Sequence, residues 1–204
     1  MAQQSASHLD EIADLQSEGH YLSKKFQFPD ADAVFQSIDK VRFAVYKKEL
    51  AFSSGGFPPA EFISDTKELI DLPERAIILD LLFSFTRPQR FPDIHTLGIE
   101  TLIELGDAAE KYEVFAAIMA CKILLRVNIP THPLRVFQYA GKYEYSDLMD
   151  DAAPFILDTP LLRILEFNMS ERYFKAWVAP LLGSISEHLR NVAPERSAHD
   201  SPEL

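Results

Sequence analysis

Glycine is scarce in this chain, with seven among 204 residues, about half of the ~7% average frequency. The seven lie at positions 19, 55, 56, 98, 106, 141 and 183. Neither a G-x-G-x-x-G fingerprint nor a P-loop can be built from that spacing. The two commonest glycine-rich phosphate-binding loops are therefore excluded.

Cysteine is almost absent too, and Cys121 alone cannot form a disulfide within the chain. A chain with one thiol is not built for an oxidising compartment. Residues 1–19 have neither the basic nor the apolar region of a signal peptide, and no apolar run reaches the ~18 residues of a membrane span. We expect a protein of the cytoplasm or nucleus that does not enter a membrane.

Positive charge is in short supply, since 20 Lys and Arg face 31 Asp and Glu, for a net charge of −11. The densest basic cluster, Lys47 and Lys48 with Arg42, is short. Binding a phosphate backbone requires a concentrated positive field, and an anionic membrane surface requires the same. We therefore expect neither nucleic acid nor a membrane surface as a partner.

Catalytic and metal-binding patterns are also missing. The six histidines are never within four residues of one another, and no H-E-x-x-H or C-x-x-C occurs. The stretch Ser53-Ser54-Gly55-Gly56 lacks the G-x-S-x-G elbow and is interpreted as a helix end with glycine caps. Cys121, among apolar neighbours, is interpreted as a buried structural thiol. We expect no enzyme, no metal and no cofactor.

What the sequence does contain begins with three short β-prone runs, at residues 33–35, 41–46 and 68–72. In the second run Val41, Phe43 and Val45 alternate with polar or small residues, which is typical of a strand with one buried face. A tight turn at residues 37–40 would join the first two runs as a hairpin. The pattern predicts a small three-stranded sheet.

Helical periodicity dominates the rest of the chain. Predicted helices cover residues 74–85, 97–112, 114–127, 134–143, 145–157, 161–167 and 171–189. In the second of them an acidic stripe shares one face, which indicates either a solvated surface or a site for a basic partner: Glu100, Glu104, Asp107 and Glu110. Strands followed by a run of helices predict an α+β fold with an all-α helical extension.

An internal echo lies at two predicted helix ends. Residues 109–113 and 140–144 share A-x-K-Y-E at an offset of 31 residues. Each copy ends one predicted helix and precedes another, and stacked helical hairpins would give this spacing.

The order of elements resembles a BTB/POZ domain, a fold with a small three-stranded sheet capped by helices. Asp32-Ala33-Val34-Phe35 opens the pattern, and Phe43-Ala44-Val45-Tyr46-Lys47 leads into a helix with Leu50, Ser54 and Phe57 at the family's spacing. Leu102, Leu105, Ala108, Ala109 and Lys111-Tyr112 resemble the family's L-x-x-L-x-x-A-x-K-Y signature. The chain departs from the family in having Tyr46 where a His is frequent and Gly55-Gly56 inside the usual S-P-x-F.

Residues 132–143 are further similar to the helical extension of fungal BTB proteins. The resemblance implies two of four regions: residues 26–129, the BTB/POZ domain, and residues 130–190, the helical extension. The composition of the remaining residues predicts that residues 1–25 are flexible or a short helix and that residues 191–204 are a disordered tail.

The resemblance also implies a function, that of a non-enzymatic protein–protein interaction module acting as adaptor or scaffold, most simply as a homodimer. Family dimers use regions that correspond here to residues 9–25 and 47–57. The alternative is a substrate adaptor of a cullin-3 ubiquitin ligase, whose apolar-x-Glu motif has Ile63-Ser64-Asp65 as its nearest match. The expected partner-binding residues are Ile63, Asp65, Tyr46 and Phe57.

Overall fold

A computed structural model describes residues 21–57 and 69–156 of the chain. These residues fall into two compact units that divide after His132, three residues beyond the boundary predicted after residue 129. The predicted helices at residues 161–167 and 171–189 and the predicted tail lie outside the described residues.

The first unit contains a four-stranded sheet in the order β1-β3-β2-β4. Its strands are β1 Tyr21–Leu22, β2 Ala33–Gln36, β3 Val41–Val45 and β4 Leu69–Asp71. β2 and β3 form the predicted antiparallel hairpin, with Phe35 opposite Phe43. β1 runs parallel to β3 and β4 runs parallel to β2. The fold class is thus α+β, as predicted.

The prediction of three strands was wrong by one. β1 lies within residues 1–25, which were expected to be flexible or helical. Two residues are too short to show the period-2 alternation from which strands are recognised. Tyr21 and Leu22 belong to the sheet because they pair with Val41 and Arg42. No local sequence pattern predicts this pairing.

Helices make up most of the remaining described chain. They are α1 Lys47–Ser53, α2 Ala76–Thr86, α3 Ile99–Lys111, α4 Phe115–Val127, α5 Pro133–Lys142 and α6 Ser146–Ala152, followed by a 3₁₀ turn at Ala153–Phe155. Each predicted helix within the described residues is confirmed with small shifts at its ends, except that the helix predicted over residues 145–157 ends as an α-helix at Ala152. None of the helices in the described ranges has the length and apolar character to cross a bilayer.

The core of the first unit is built around the ring of Phe83 in α2. The rings of Phe26, Phe35, Phe43 and Phe57 have centroids 5.4 to 5.8 Å from it. Four aromatic pairs of this kind each add about 0.5–1.5 kcal/mol to the gain from burial alone. The sheet and α2 are held together by this cluster.

Arg42, counted with Lys47 and Lys48 in the densest basic cluster of the sequence, is buried. Arg42 lies in β3 and is only 6% exposed. Its Nε donates to Gln36 Oε1 at 3.3 Å, and Gln36 Nε2 donates to Asp71 Oδ1 at 2.7 Å. Strand alternation placed Arg42 on the face opposite Phe43, but it did not reveal that this second face is also covered.

The described part of the second unit is a hairpin of α5 and α6. Val136 and Phe137 of α5 and Leu148 of α6 are fully buried. Tyr139 packs with Tyr143 and Tyr145 at ring centroid distances of 4.9 and 6.3 Å. A strongly amphipathic α5 explains this arrangement, because its apolar face packs against α6 and the turn after it.

Candidate interaction surface on helix α1

Helix α1 follows directly from strand β3 and leaves one face open. Its first N–H group, on Lys47, donates to Asp32 Oδ1 at 2.7 Å, and so a side chain from the start of the hairpin satisfies the helix N-terminus. Leu50 is the buried residue of α1. On the opposite side Lys48, Ala51 and Phe52 are exposed, and Phe52 is 92% exposed.

Phe52 has the greatest exposure among the large apolar residues that the structure describes. Removing a phenylalanine side chain from water is worth about 1.5–3 kcal/mol. Leaving one in water therefore forgoes a gain that a partner surface could recover. Phe52 does not stand out in the sequence, because a single apolar residue in a seven-residue helix carries no periodic signal.

Tyr46, at the N-terminal end of α1, belongs to an intramolecular cluster. Its ring stacks on Phe28 with centroids 5.4 Å apart, and the guanidinium of Arg87 lies 4.0 Å from the centroid of the same Phe28 ring. Arg87 also pairs with Glu49 of α1, Nε to Oε2, at 3.2 Å. The Tyr46 hydroxyl donates to Asp30 Oδ1, and this hydrogen bond raises the pKa of Tyr46. The Tyr46 ring packs inside the fold, whereas the edge that carries its hydroxyl is accessible.

Phe57, at the other end of α1, is a core residue. It is 7% exposed, and its ring stacks on Tyr112 with centroids 4.5 Å apart and planes inclined by 5°. A direct partner contact would require Phe57 to leave this packing. Ile63 and Asp65, the other two predicted partner-binding residues, lie outside the described residues, so the structure brings only Tyr46 and Phe57 to the ends of one helix.

The glycine pair after α1 is not a helix cap. The predicted glycine caps were wrong, since α1 ends at Ser53 and Ser54 is already extended. Gly55 N donates to Glu113 O at 3.2 Å and Gly56 N donates to Tyr112 O at 3.0 Å. A Cβ at Gly56 would lie 2.7 Å from the carbonyl carbon of Tyr112. Glycine is thus required by the close approach of two backbones, not by a helix end.

Lys111 and Tyr112, which belong to the L-x-x-L-x-x-A-x-K-Y signature, bind the carboxylate of Glu74. Lys111 Nζ lies 2.8 Å from Glu74 Oε1, and the Tyr112 hydroxyl donates to Glu74 Oε2 at 2.8 Å. Burial and the hydrogen bond to Glu74 both raise the pKa of Tyr112. Glu74 lies between β4 and α2, and its role was missed because 37 residues separate it from Lys111. This contact fixes the end of α3 to the start of α2.

Cys121 and the acidic stripe are the remaining chemical candidates from the sequence. Cys121 is fully buried, as predicted, and burial together with nearby Glu110 raises its pKa to about 12. Within residues 21–57 and 69–156 no three His, Cys, Asp or Glu side chains are grouped in a way that could hold a metal ion. In the acidic stripe, Glu104 accepts from Arg75 Nη2 at 2.6 Å.

Comparison with known families and with curated protein sequences found no match for this chain.

Proposed function

We propose that the chain is a BTB/POZ-like protein–protein interaction module that self-associates and acts as an adaptor or scaffold in the cytoplasm or nucleus. We propose it as a non-enzymatic protein that binds other proteins. The observation that carries this proposal is the open face of α1 with Phe52 at its centre.

The order of elements supports the resemblance. A β-hairpin leads into a short helix, a strand parallel to the first hairpin strand follows, and three helices close the unit. The residues of the L-x-x-L-x-x-A-x-K-Y signature also make structural contacts. Leu102, Leu105, Ala108 and Ala109 are buried, and the Lys-Tyr pair binds Glu74.

The position of Phe52 supports the proposed self-association through α1. The resemblance implies a dimer surface at residues 47–57, and Phe52 lies within it. In a twofold dimer the same patch serves both copies, so two Phe52 side chains are buried together. At about 1.5–3 kcal/mol for each phenylalanine, they would form the energetic centre of the interface.

The test compares two exposed apolar residues of the same unit. Phe52→Glu should convert the dimer to a monomer in sedimentation velocity at about 20 µM, because the substitution would bury two carboxylates against each other. Ile38→Glu, on the β2–β3 turn and 61% exposed, is the matched control and should remain dimeric. If Phe52→Glu sediments as the wild type does, α1 is not the interface.

A further inference from the structure

The face of the sheet opposite Phe35 and Phe43 carries a buried charge. Arg42 on β3 lies directly opposite Gln36 on β2, and Arg42 is only 6% exposed. A guanidinium stays protonated in proteins, so Arg42 is a buried cation. Burying a cation is costly unless a group of opposite charge pairs with it.

The pairing of this cation is incomplete within the described residues. Arg42 Nε donates to Gln36 Oε1 at 3.3 Å, but Arg42 Nη1 is buried and has no hydrogen-bond partner in the described chain. Gln36 Nε2 donates in turn to Asp71 Oδ1 at 2.7 Å, and Lys40 Nζ lies 3.7 Å from the same oxygen. Two cations therefore share one carboxylate in this network, and one more negative charge would complete its pairing.

Apolar side chains lie beside Arg42 on the same face. Leu22 is its neighbour on β1, and the pair Val34 and Ala44 lies two residues further along β2 and β3, which places both on the face of Arg42. All three are half-buried, whereas the opposite face packs on Phe83 of α2. A segment that covers the Arg42 face would have to offer apolar side chains together with a carboxylate.

Residues 1–20 have the composition that this face requires. They contain four carboxylates and no lysine or arginine: Asp10, Glu11, Asp14 and Glu18. Three large apolar residues lie among these carboxylates: Leu9, Ile12 and Leu15. The segment leads directly into β1, where Leu22 lies opposite Arg42. The most distant carboxylate, that of Asp10, is twelve residues from Leu22, at most ~40 Å of extended chain, so each of the four can reach Arg42.

Residues 58–68, which also lie outside the described residues, fit this face less well. They follow Phe57, whose ring packs on Phe83 on the opposite side of the sheet, and they lead into β4, two strands away from β3. We propose that residues 1–20 dock on the Arg42 face of the sheet in their own chain and place one of their carboxylates on Arg42 Nη1. This inference goes beyond the proposed function, because it concerns a contact within one chain.

Hydrogen–deuterium exchange on the full chain, read by mass spectrometry, measures this docking. The amides of residues 9–18 should exchange at least about tenfold more slowly than those of an unstructured chain at pH 7. Arg42→Met keeps a long side chain and removes the charge, and it should abolish this protection. Arg75→Met is the matched control, since Arg75 is an exposed arginine of the same unit that pairs with Glu104, and it should leave the protection unchanged.

A second set of variants changes the segment and leaves the sheet intact. Neutralising its four carboxylates together should release residues 9–18 as Arg42→Met does: Asp10→Asn, Glu11→Gln, Asp14→Asn and Glu18→Gln. The matched control neutralises the carboxylates of residues 58–68 and should keep the protection: Glu61→Gln, Asp65→Asn and Glu68→Gln. Circular dichroism confirms that each variant is folded.

Residues 9–18 that exchange at the unstructured rate in the wild type would overturn the proposal, as would protection that survives Arg42→Met or the fourfold change. Release by the changes in residues 58–68 would overturn it by assigning the partner of Arg42 to that segment. Protection that is lost on dilution from about 50 µM to about 1 µM would place the docking between two copies and would overturn a contact within one chain. None of these results bears on Phe52, and so the α1 dimer and this contact fail separately.

Discussion

The two copies of the A-x-K-Y-E sequence adopt the same backbone and use it differently. In the first copy Glu113 has φ 51° and Val114 N donates to Ala109 O at 2.9 Å; in the second Glu144 has φ 59° and Tyr145 N donates to Ala140 O at 2.8 Å. Both are Schellman-type helix ends, in which a left-handed residue lets the chain close the last turn.

The lysine makes the same cation–π contact in both copies. Its ammonium lies over the ring of the tyrosine that follows, at 4.6 Å for Lys111 and 5.0 Å for Lys142. The surroundings differ. Tyr112 stacks on Phe57 and hydrogen-bonds to Glu74, whereas Tyr143 packs beside Tyr139. The comparison teaches that five residues determine a helix–turn–helix backbone locally, while distant residues decide what the side chains bind.

The largest effect should come from breaking the surroundings of the first copy. Gly56→Ala would place a Cβ 2.7 Å from the Tyr112 carbonyl carbon, and backbone cannot move aside as a flexible side chain can. We expect a loss of about 2–3 kcal/mol in the free energy of unfolding, measured by urea denaturation.

Gly98→Ala is the matched control, because a Cβ at Gly98 would meet nothing within 4 Å. It should change the free energy of unfolding by only a few tenths of a kcal/mol. Equal effects at the two glycines would contradict the close approach at Gly56.

Next in size is the loss of the Glu74 carboxylate that the first copy binds. Glu74→Ala removes the acceptor of Lys111 Nζ and of the Tyr112 hydroxyl. Hydrogen bonds to a charged group are worth about 1.5–3 kcal/mol each when buried, and Lys111 is half exposed. We therefore expect a net loss of about 2 kcal/mol on urea denaturation.

Tyr112→Phe serves as the companion variant, since it keeps the ring stacked on Phe57 and removes only one hydrogen bond. It should cost about 1 kcal/mol. If Tyr112→Phe costs as much as Glu74→Ala, the lysine contact contributes nothing.

A smaller, pH-dependent effect comes from the turn that holds the Glu74 segment. Ile38 N donates to Glu74 O, and Asp39 Oδ1 accepts from Ala76 N at 2.7 Å. Burial of Asp39 works against ionisation, but hydrogen bonds from Ser37 and Ala76 outweigh it and lower the pKa of Asp39. Asp39→Ala should cost about 0.5–1 kcal/mol at pH 7, as does loss of a helix cap.

The sign of the pH dependence follows from the lowered pKa. A carboxylate with a lower pKa in the folded state stabilises the fold above its unfolded pKa of about 3.9, and this contribution is lost as pH falls through the folded pKa. Asp39→Asn keeps an acceptor for Ala76 but does not titrate. Its difference in stability from the wild type, followed by urea denaturation from pH 7 to pH 2, should shrink below about pH 4. A difference in stability that stays constant from pH 7 to pH 2 would contradict the lowered pKa of Asp39.

Effects of a similar size but of opposite sign test the feature that the two copies share. Glu113→Gly and Glu144→Gly each remove a side chain from a left-handed residue, a conformation that costs non-glycine residues roughly 1–2 kcal/mol. Part of that gain is offset by the greater freedom of glycine in the unfolded chain. Each variant should gain about 0.5–1 kcal/mol in urea or thermal unfolding, and a loss in one copy alone would show that the two turns are not equivalent.

Local features of the fold could be predicted from the sequence, and features that depend on distant contacts could not. Alternation in residues 41–45 and helical periodicity in residues 99–111 gave the right elements, because each element buries a face of its own. The two-residue strand β1, the covered face around Arg42 and the glycine requirement at Gly56 depend on partners far along the chain.

The residues of the candidate surface show the same division between what the sequence predicts locally and what depends on distant contacts. Tyr46 and Phe57 were selected through the resemblance, and they turned out to be a partly accessible residue and a core residue. Phe52 was recognised only once neighbouring elements were in place. Apolar residues in a helix predict burial on average, so exposure is visible only in three dimensions.

The central claim, self-association through α1, is tested most directly by the mass of the intact chain in solution. Light scattering on the column-purified wild type at about 10–100 µM should give twice the chain mass of 23.2 kDa, with Phe52→Glu at the single-chain mass under the same conditions. A wild-type mass of 23.2 kDa throughout this range would contradict the account.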